Sequence, residues 1–209
     1  MSHLKLSNFI IFIVLSTKVF AQENSADSLL NAIEAQDTTQ ALLPDRIFIT
    51  QKLLWGKKGL LRITGIAPLT PEKRQKEMKI RRAMLKLHQA GGFITLAGMI
   101  GQGFVGAKLY NNPTPELRNL HSNLGAFVNA SYATTALLSF TAPPPLINRK
   151  GMSSINIHKA LAFVHLSGMI VTNVLAGQLQ QHPELRPYHR AAAYSTFAAF
   201  AAATIVIKF

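Results

Sequence analysis

Apolar residues fill four long windows of the chain, at about 88–110, 120–140, 157–179 and 188–207. Charge marks their edges. No Asp, Glu, Lys or Arg lies between Lys86 and Lys108, between Arg118 and Arg149, between Lys159 and Glu184, or between Arg190 and Lys208. A hydrocarbon core about 30 Å thick takes roughly 20 residues of helix, and ionised groups are costly at its centre. A water-soluble bundle would need a polar face on each helix, and these windows barely show one. The pattern therefore predicts an all-α fold: an integral-membrane four-helix up-and-down bundle with an N-terminal amphipathic and basic extension.

The pattern before the first window changes twice. Lys5 precedes the short apolar run Phe9–Ser16, and Val19-Phe20-Ala21 ends in a small residue. Residues 1–21 thus read as a cleaved secretory signal, with an uncleaved anchor as the alternative. Residues 22–45 are polar and acidic, with one weak helical pattern at Leu29, Leu30 and Ile33. Residues 46–87 carry twelve Lys/Arg against two Glu. There Ile47, Phe48, Leu53, Leu54 and Trp55 interleave with Lys52, Lys57 and Lys58, which suits a helix at headgroup level with Trp55 at the interface. Thr70-Pro71 reads as an N-cap followed by Pro at the first helical position. A basic helix is expected to run from there into the first span. The chain divides into 1–21 (signal), 22–87 (juxtamembrane segment) and 88–209 (four-helix domain).

Composition narrows the chemistry. The 209 residues include no Cys, which excludes disulfides, thiolate metal sites, iron–sulfur clusters and c-type haem attachment. Nine acidic residues leave little material for carboxylate catalysis. The net charge of +13 would suit nucleic acid, but no nucleic-acid motif accompanies it, and membrane lipid is the expected partner. The chain is 48% hydrophobic and its mean hydropathy is +0.19, in line with an integral membrane protein. Topology holds a conflict. The side with residues 22–87, the 141–156 loop and the C-terminus carries most of the Lys/Arg, which the positive-inside rule would keep in the cytoplasm. A cleaved signal places that side outside. Long translocated segments obey the charge rule poorly, so a bacterial inner-membrane location with a periplasmic N-terminal segment is expected.

The histidines carry the candidate chemistry. Each window opens on one: Leu87-His88, Leu120-His121, Ile157-His158 and Tyr188-His189. Helices of an up-and-down bundle alternate in direction. His88 can therefore meet His158 near one surface, and His121 can meet His189 near the other. Two facing imidazoles suit the two axial positions of a haem iron. Zinc or copper would want further ligands, and no Cys, Asp or Glu lies within these windows. A porphyrin also needs room. The residue one helical turn after each histidine is small: Gly92, Gly125, Ala162 and Ala193. Small residues serve plain helix packing as well. Lys86, Arg118, Lys159 and Arg190 each lie within three positions of a histidine and can meet propionates, or act as ordinary membrane anchors. His165 follows His158 by seven residues, about 10 Å deeper on nearly the same face. It suits a proton relay, a hydrogen-bond donor to a ligand, an alternative ligand or a hydrogen-bonded packing residue. His182 reads as a loop residue, and His3 leaves with the signal. Ser122, Ser131 and Ser167 lack a base–acid partner. Gly98, Gly101, Gly103 and Gly106 sit inside a window at helix-packing spacing, not in a phosphate loop.

Two stretches carry a family resemblance. Leu120-His121-Ser122-Asn123-Leu124-Gly125 resembles the Leu-His-Ser-x-x-Gly motif of the cytochrome b561 family. Pro143-Pro144-Pro145, Arg149-Lys150 and Ile157-His158-Lys159-Ala160-Leu161-Ala162 resemble that family's basic, Pro-containing loop and the helix after it. The resemblance covers residues 88–207 in outline. It implies two b-type haems with bis-His ligation, held by His88, His121, His158 and His189, passing electrons across a membrane. The departures are clear: the family's classical members have six spans against four here, the two matched helices stand one place earlier in the chain, and the ascorbate motifs are missing. The resulting expectation is a transmembrane dihaem cytochrome with a quinol or redox-protein donor and an acceptor such as ferric iron, possible as a quinone- or ferric-linked oxidoreductase and as a homodimer. The alternatives are a non-catalytic four-helix membrane scaffold that binds partners through residues 22–87, and a His-lined metal transporter.

Overall fold

Helix is the sole regular element among the described residues of the computed structural model, which are 42–148 and 151–208. The order is α1 (Ile49–Trp55), α2 (Leu60–Ile63), α3 (Pro71–Asn111), α4 (Pro115–Thr141), α5 (Ser154–Gln178), a 3-10 turn (Pro183–Leu185) and α6 (Arg186–Lys208). The expected signal 1–21, with His3, and the Leu29–Ile33 pattern lie outside the described residues.

Local chemistry starts each long helix. Thr70 caps α3 by accepting from Lys73 N at 3.4 Å, with Pro71 at the first position. Thr114 caps α4 in the same way through Leu117 N at 3.2 Å, again followed by Pro. Ser153 caps α5 through Asn156 N at 3.3 Å. The expected basic helix and the first window form one 41-residue helix, α3, in which His88 lies well inside rather than at the start.

Among the described residues, three helical stretches are long and apolar enough to cross a membrane: Pro71–Asn111, Ser154–Gln178 and Pro183–Ile207. The expected fourth, α4, does not reach that apolarity. Asn119, Ser122, Asn123, Asn129, Ser131, Thr134 and Thr135 dilute its Leu, Ala and Phe. Several of those groups are engaged with neighbouring helices. Asn129 and Asn173 on α5 exchange hydrogen bonds at 2.7 and 3.1 Å, and Ser131 bonds Thr95 on α3. Large apolar side chains instead point outward, such as Phe104 at 71% and Phe163 at 73% exposure.

One core joins the four long helices. Met99 of α3, Val128 and Tyr132 of α4, Met169 of α5 and Phe200 of α6 are buried together, with Leu96, Leu166 and Phe197 against them. Those positions follow a rule. Phe-x-x-Leu-x-Gly-Met-Ile occurs at 93–100 in α3 and again at 163–170 in α5. Pro-Glu-Leu-Arg-x-x-His occurs at 115–121, opening α4, and at 183–189, running from the 3-10 turn into α6. The α3–α4 and α5–α6 hairpins are thus two copies of one unit. Gly98 packs on Val128, and its counterpart Gly168 packs on Thr196, the counterpart of Val128; a Cβ on either glycine would crowd its partner. Such glycines let paired helices approach closely.

The N-terminal part closes one end. The last carbonyls of a helix lack intrahelical donors. Here α1 supplies them: Thr50 Oγ1 donates to Phe140 O at 2.7 Å, Gln51 Nε2 to Ser139 O at 3.5 Å, and Trp55 Nε1 to Thr141 O at 2.8 Å. Phe48 stacks on Phe140 at 5.5 Å. Trp55, expected at the interface, is buried because its indole N–H serves this cap. Beneath lies a buried cluster in which Glu77 pairs with Arg62 and Arg74. Arg74 also donates to Leu42 O at 2.8 Å and Pro144 O at 3.1 Å, and Arg81 to Pro143 O at 2.6 Å. The Pro143-Pro144-Pro145 run offers carbonyls but no backbone N–H, so arginines suit it.

Candidate functional site

The repeat brings equivalent residues face to face. The His88 and His158 rings lie 6.1 Å apart between centroids, with planes 84° apart. The His121 and His189 rings lie 6.5 Å apart, with planes 81° apart. Tyr132 and its counterpart Phe200 meet at 5.8 Å in the core. Residues that occupy the same place in two copies and touch each other straddle the axis relating the copies. Both histidine pairs therefore sit on that axis.

Hydrogen bonding sets the orientation of three of the four rings. His88 Nδ1 donates to Thr135 O at 2.8 Å, His158 Nδ1 to Ala203 O at 2.9 Å, and His189 Nδ1 to Thr172 O at 3.0 Å. A carbonyl only accepts, so each Nδ1 carries the proton and each Nε2 keeps its lone pair in the neutral ring. Thr135 and Ala203 are equivalent positions, and so the same bond recurs in both copies. His121 is different. Among the described residues its Nδ1 is buried without a hydrogen-bond partner, and its Nε2 lies 3.3 Å from Gln102 Nε2. Gln102 also donates to His121 O at 3.0 Å.

The spacing between the pairs follows from helix geometry. His88 reaches Thr135, which stands fourteen residues beyond His121 on α4. At 1.5 Å per residue that is about 21 Å. His189 reaches Thr172, fourteen residues beyond His158 on α5, and the separation is again about 21 Å.

The remaining expected positions behave unequally. A Cβ at Gly92 would meet nothing within 4 Å, whereas one at Gly125 would stand 3.0 Å from Gln102 Nε2. Ala162 and Ala193 are half-buried. Lys86, Arg118, Lys159 and Arg190 are all exposed. Arg190 lies over the Tyr110 ring at 4.6 Å and near Tyr194 at 5.6 Å. His165 is buried, hydrogen-bonded to Tyr132 Oη at 2.8 Å and packed on Phe200 at 5.0 Å. Of the roles open to it from sequence, the hydrogen-bonded packing residue is the one these contacts describe. His182 is an exposed loop residue 3.0 Å from Glu184.

Gln102 and Gly106 are the site residues that a reading by charge gaps and histidine positions misses. A Cβ on Gly106 would stand 2.9 Å from His121 Cε1, so the missing side chain admits the ring. The repeat is the signal that finds both, because their counterparts are Thr172 and Ala176. Among the described residues no group of three or more His, Cys, Asp or Glu side chains is placed to hold a metal ion. No family model, curated protein or solved structure matches this chain.

Proposed function

We propose that the chain is a membrane dihaem cytochrome that carries electrons between the two faces of a bilayer, as a four-helix bundle with one b-type haem at each histidine pair. The observation that carries this reading is the matched geometry of the pairs, with ring centroids 6.1 and 6.5 Å apart. Two imidazole nitrogens, each about 2 Å from a shared metal on opposite sides, put ring centroids roughly 6 Å apart. The backbone bonds at Nδ1 support it further, because a ligating histidine normally donates its other nitrogen to an outer partner. Two imidazoles without a third side-chain ligand suit a metal that brings its other ligands in a macrocycle.

His88 and His158 would hold one haem, and His121 and His189 the other. The open side of Gly92 suits a flat ring beside α3. A haem so ligated supplies one-electron redox chemistry. The protein would supply two imidazole nitrogens to each group, a low-dielectric surround and a separation of about 21 Å along the helices. Neutral imidazoles on apolar helices add no charge to the membrane interior, which avoids the cost of buried ions. The motif resemblance to the cytochrome b561 family points the same way.

The test is colour. Protein extracted in detergent should show a b-type α band on reduction, with about two haems per chain. His88→Ala or His158→Ala should remove half the haem, and His121→Ala or His189→Ala the other half. A colourless protein, or single variants that lose both haems or neither, would defeat the reading.

A further inference from the structure

We propose that Gln102 is the positioning residue that sets the His121–His189 site apart from its twin, by offering its carboxamide oxygen to the Nδ1–H of His121 when that ring ligates through Nε2. The inference rests on the dihaem reading and concerns residues that the repeat singles out.

Among the described residues, two buried polar atoms go unpaired in this corner: Gln102 Oε1, an acceptor, and His121 Nδ1. They belong to side chains already in contact. Gln102 Nε2 lies 3.3 Å from His121 Nε2, which places an amide donor against the ring's lone pair. With that lone pair accepting, the proton sits on Nδ1, which then has no acceptor. Leaving a buried donor and a buried acceptor unmade is costly. One rearrangement of the Gln102 side chain answers both: the carboxamide oxygen turns to Nδ1–H, and Nε2 of the ring is released for a metal.

The copies support this assignment. In the second hairpin His189 Nδ1 donates to the backbone carbonyl of Thr172. Thr172 is the counterpart of Gln102. Where His189 uses the main chain at that position, His121 has a side chain. The difference traces to the ring's seat, since His121 lies against Gly106 while the counterpart of Gly106 is Ala176. A side-chain acceptor moves and can be exchanged, whereas a helix carbonyl is fixed. The His121–His189 site is therefore the tunable one of the two.

The test is a redox titration of purified, haem-loaded protein, followed at the α band, with His88→Ala used to assign the components. An imidazole that loses its Nδ1 acceptor gives less electron density to iron, so the ferric form is less favoured. Gln102→Leu and the near-isosteric Gln102→Met should raise one midpoint by about tenfold in the reduction equilibrium, about 59 mV for one electron. The His88–His158 component should stay in place. Gln102→Glu, which keeps an acceptor, should leave the shifted component at or below its wild-type value. Midpoints that both stay, both move alike, or move only at His88–His158 would overturn the proposal. Loss of both haems from Gln102→Met would assign Gln102 to packing and overturn it too. Wild-type protein without haem would instead defeat the dihaem reading itself.

Discussion

The two ends of the helical unit hold matched histidine pairs in unlike surroundings. At the His88–His158 end, the chain folds back over its own helices. There α1 caps the last carbonyls of α4, and the buried Arg62–Glu77–Arg74 cluster ties α2 to α3 under the Pro143–Pro145 carbonyls. Among the described residues, only short connections close the other end, with the exposed Arg190 over Tyr110. The bonds within the pairs differ in the same sense. Both rings at the covered end donate to backbone carbonyls, while His121 at the open end meets a flexible glutamine. A repeat builds two sites from one pattern. Local additions and a few substitutions then make them unequal: one lies beneath the N-terminal cap, and the other has a side-chain amide beside one of its rings.

Removing the tie at the covered end should have the largest effect. Glu77→Gln leaves two buried guanidiniums without their carboxylate, and breaking such a pair costs about 3–5 kcal/mol. Thermal unfolding in detergent should show the loss, together with faster proteolysis between residues 46 and 70. On the dihaem reading, haem held by His121 and His189 should survive. Equal damage at both ends would mean that the cluster supports the whole unit and that the contrast is misplaced.

The next effect probes the open end. Gly106→Ala puts a Cβ 2.9 Å from His121 Cε1 and should cost about 1–3 kcal/mol, with weaker haem retention at that site alone. The reciprocal change Ala176→Gly removes a helix-favouring methyl and should cost about 1 kcal/mol without touching either haem. Haem content and melting temperature of the two variants measure the asymmetry directly. Like behaviour of both would remove Gly106 as its source.

The smallest effect concerns a helix start. The Glu116 carboxyl is held below its usual 4.5 by its own backbone N–H and then by the Thr114 hydroxyl. A carboxylate so favoured in the folded state contributes stability that is complete above the unfolded value and lost as pH falls through the folded one. Glu116→Gln should therefore be slightly less stable than wild type at pH 7, and the gap should close as pH falls through the lowered folded-state value. A gap that persists in acid would show that the charge is not its origin.

Much of the site was legible in the chain. Four histidines at matching places in four apolar windows, with antiparallel neighbours, suffice to pair His88 with His158 and His121 with His189. The start of α3 was equally legible at Thr70-Pro71, because a capping Thr followed by Pro acts through the nearest turn alone; the same pair at Thr114-Pro115 opens α4 ahead of the expected window at about 120. Other features were not. Apolarity read as runs without charge promotes α4 to a span, because Asn, Ser and Thr carry no formal charge yet lower hydropathy. Trp55 reads as an interface anchor when its hydrogen-bond partner, Thr141 O, lies far away in sequence. The repeat was in plain view in Phe93–Ile100 and Phe163–Ile170, yet its meaning depends on the two copies facing each other.

What the sequence determined by itself is what short-range chemistry controls: helix as the sole regular element among the described residues, where α3 starts, and which imidazoles share an end. Those outcomes follow from charge-free runs, capping side chains and the direction reversals that short connections impose. Tertiary packing decided the rest. Which nitrogen of each ring is free depends on a carbonyl from the adjacent helix, and whether His121 has such a carbonyl depends on how closely Gly106 lets the ring approach. Those distances arise only when separate helices touch, and no local pattern encodes them.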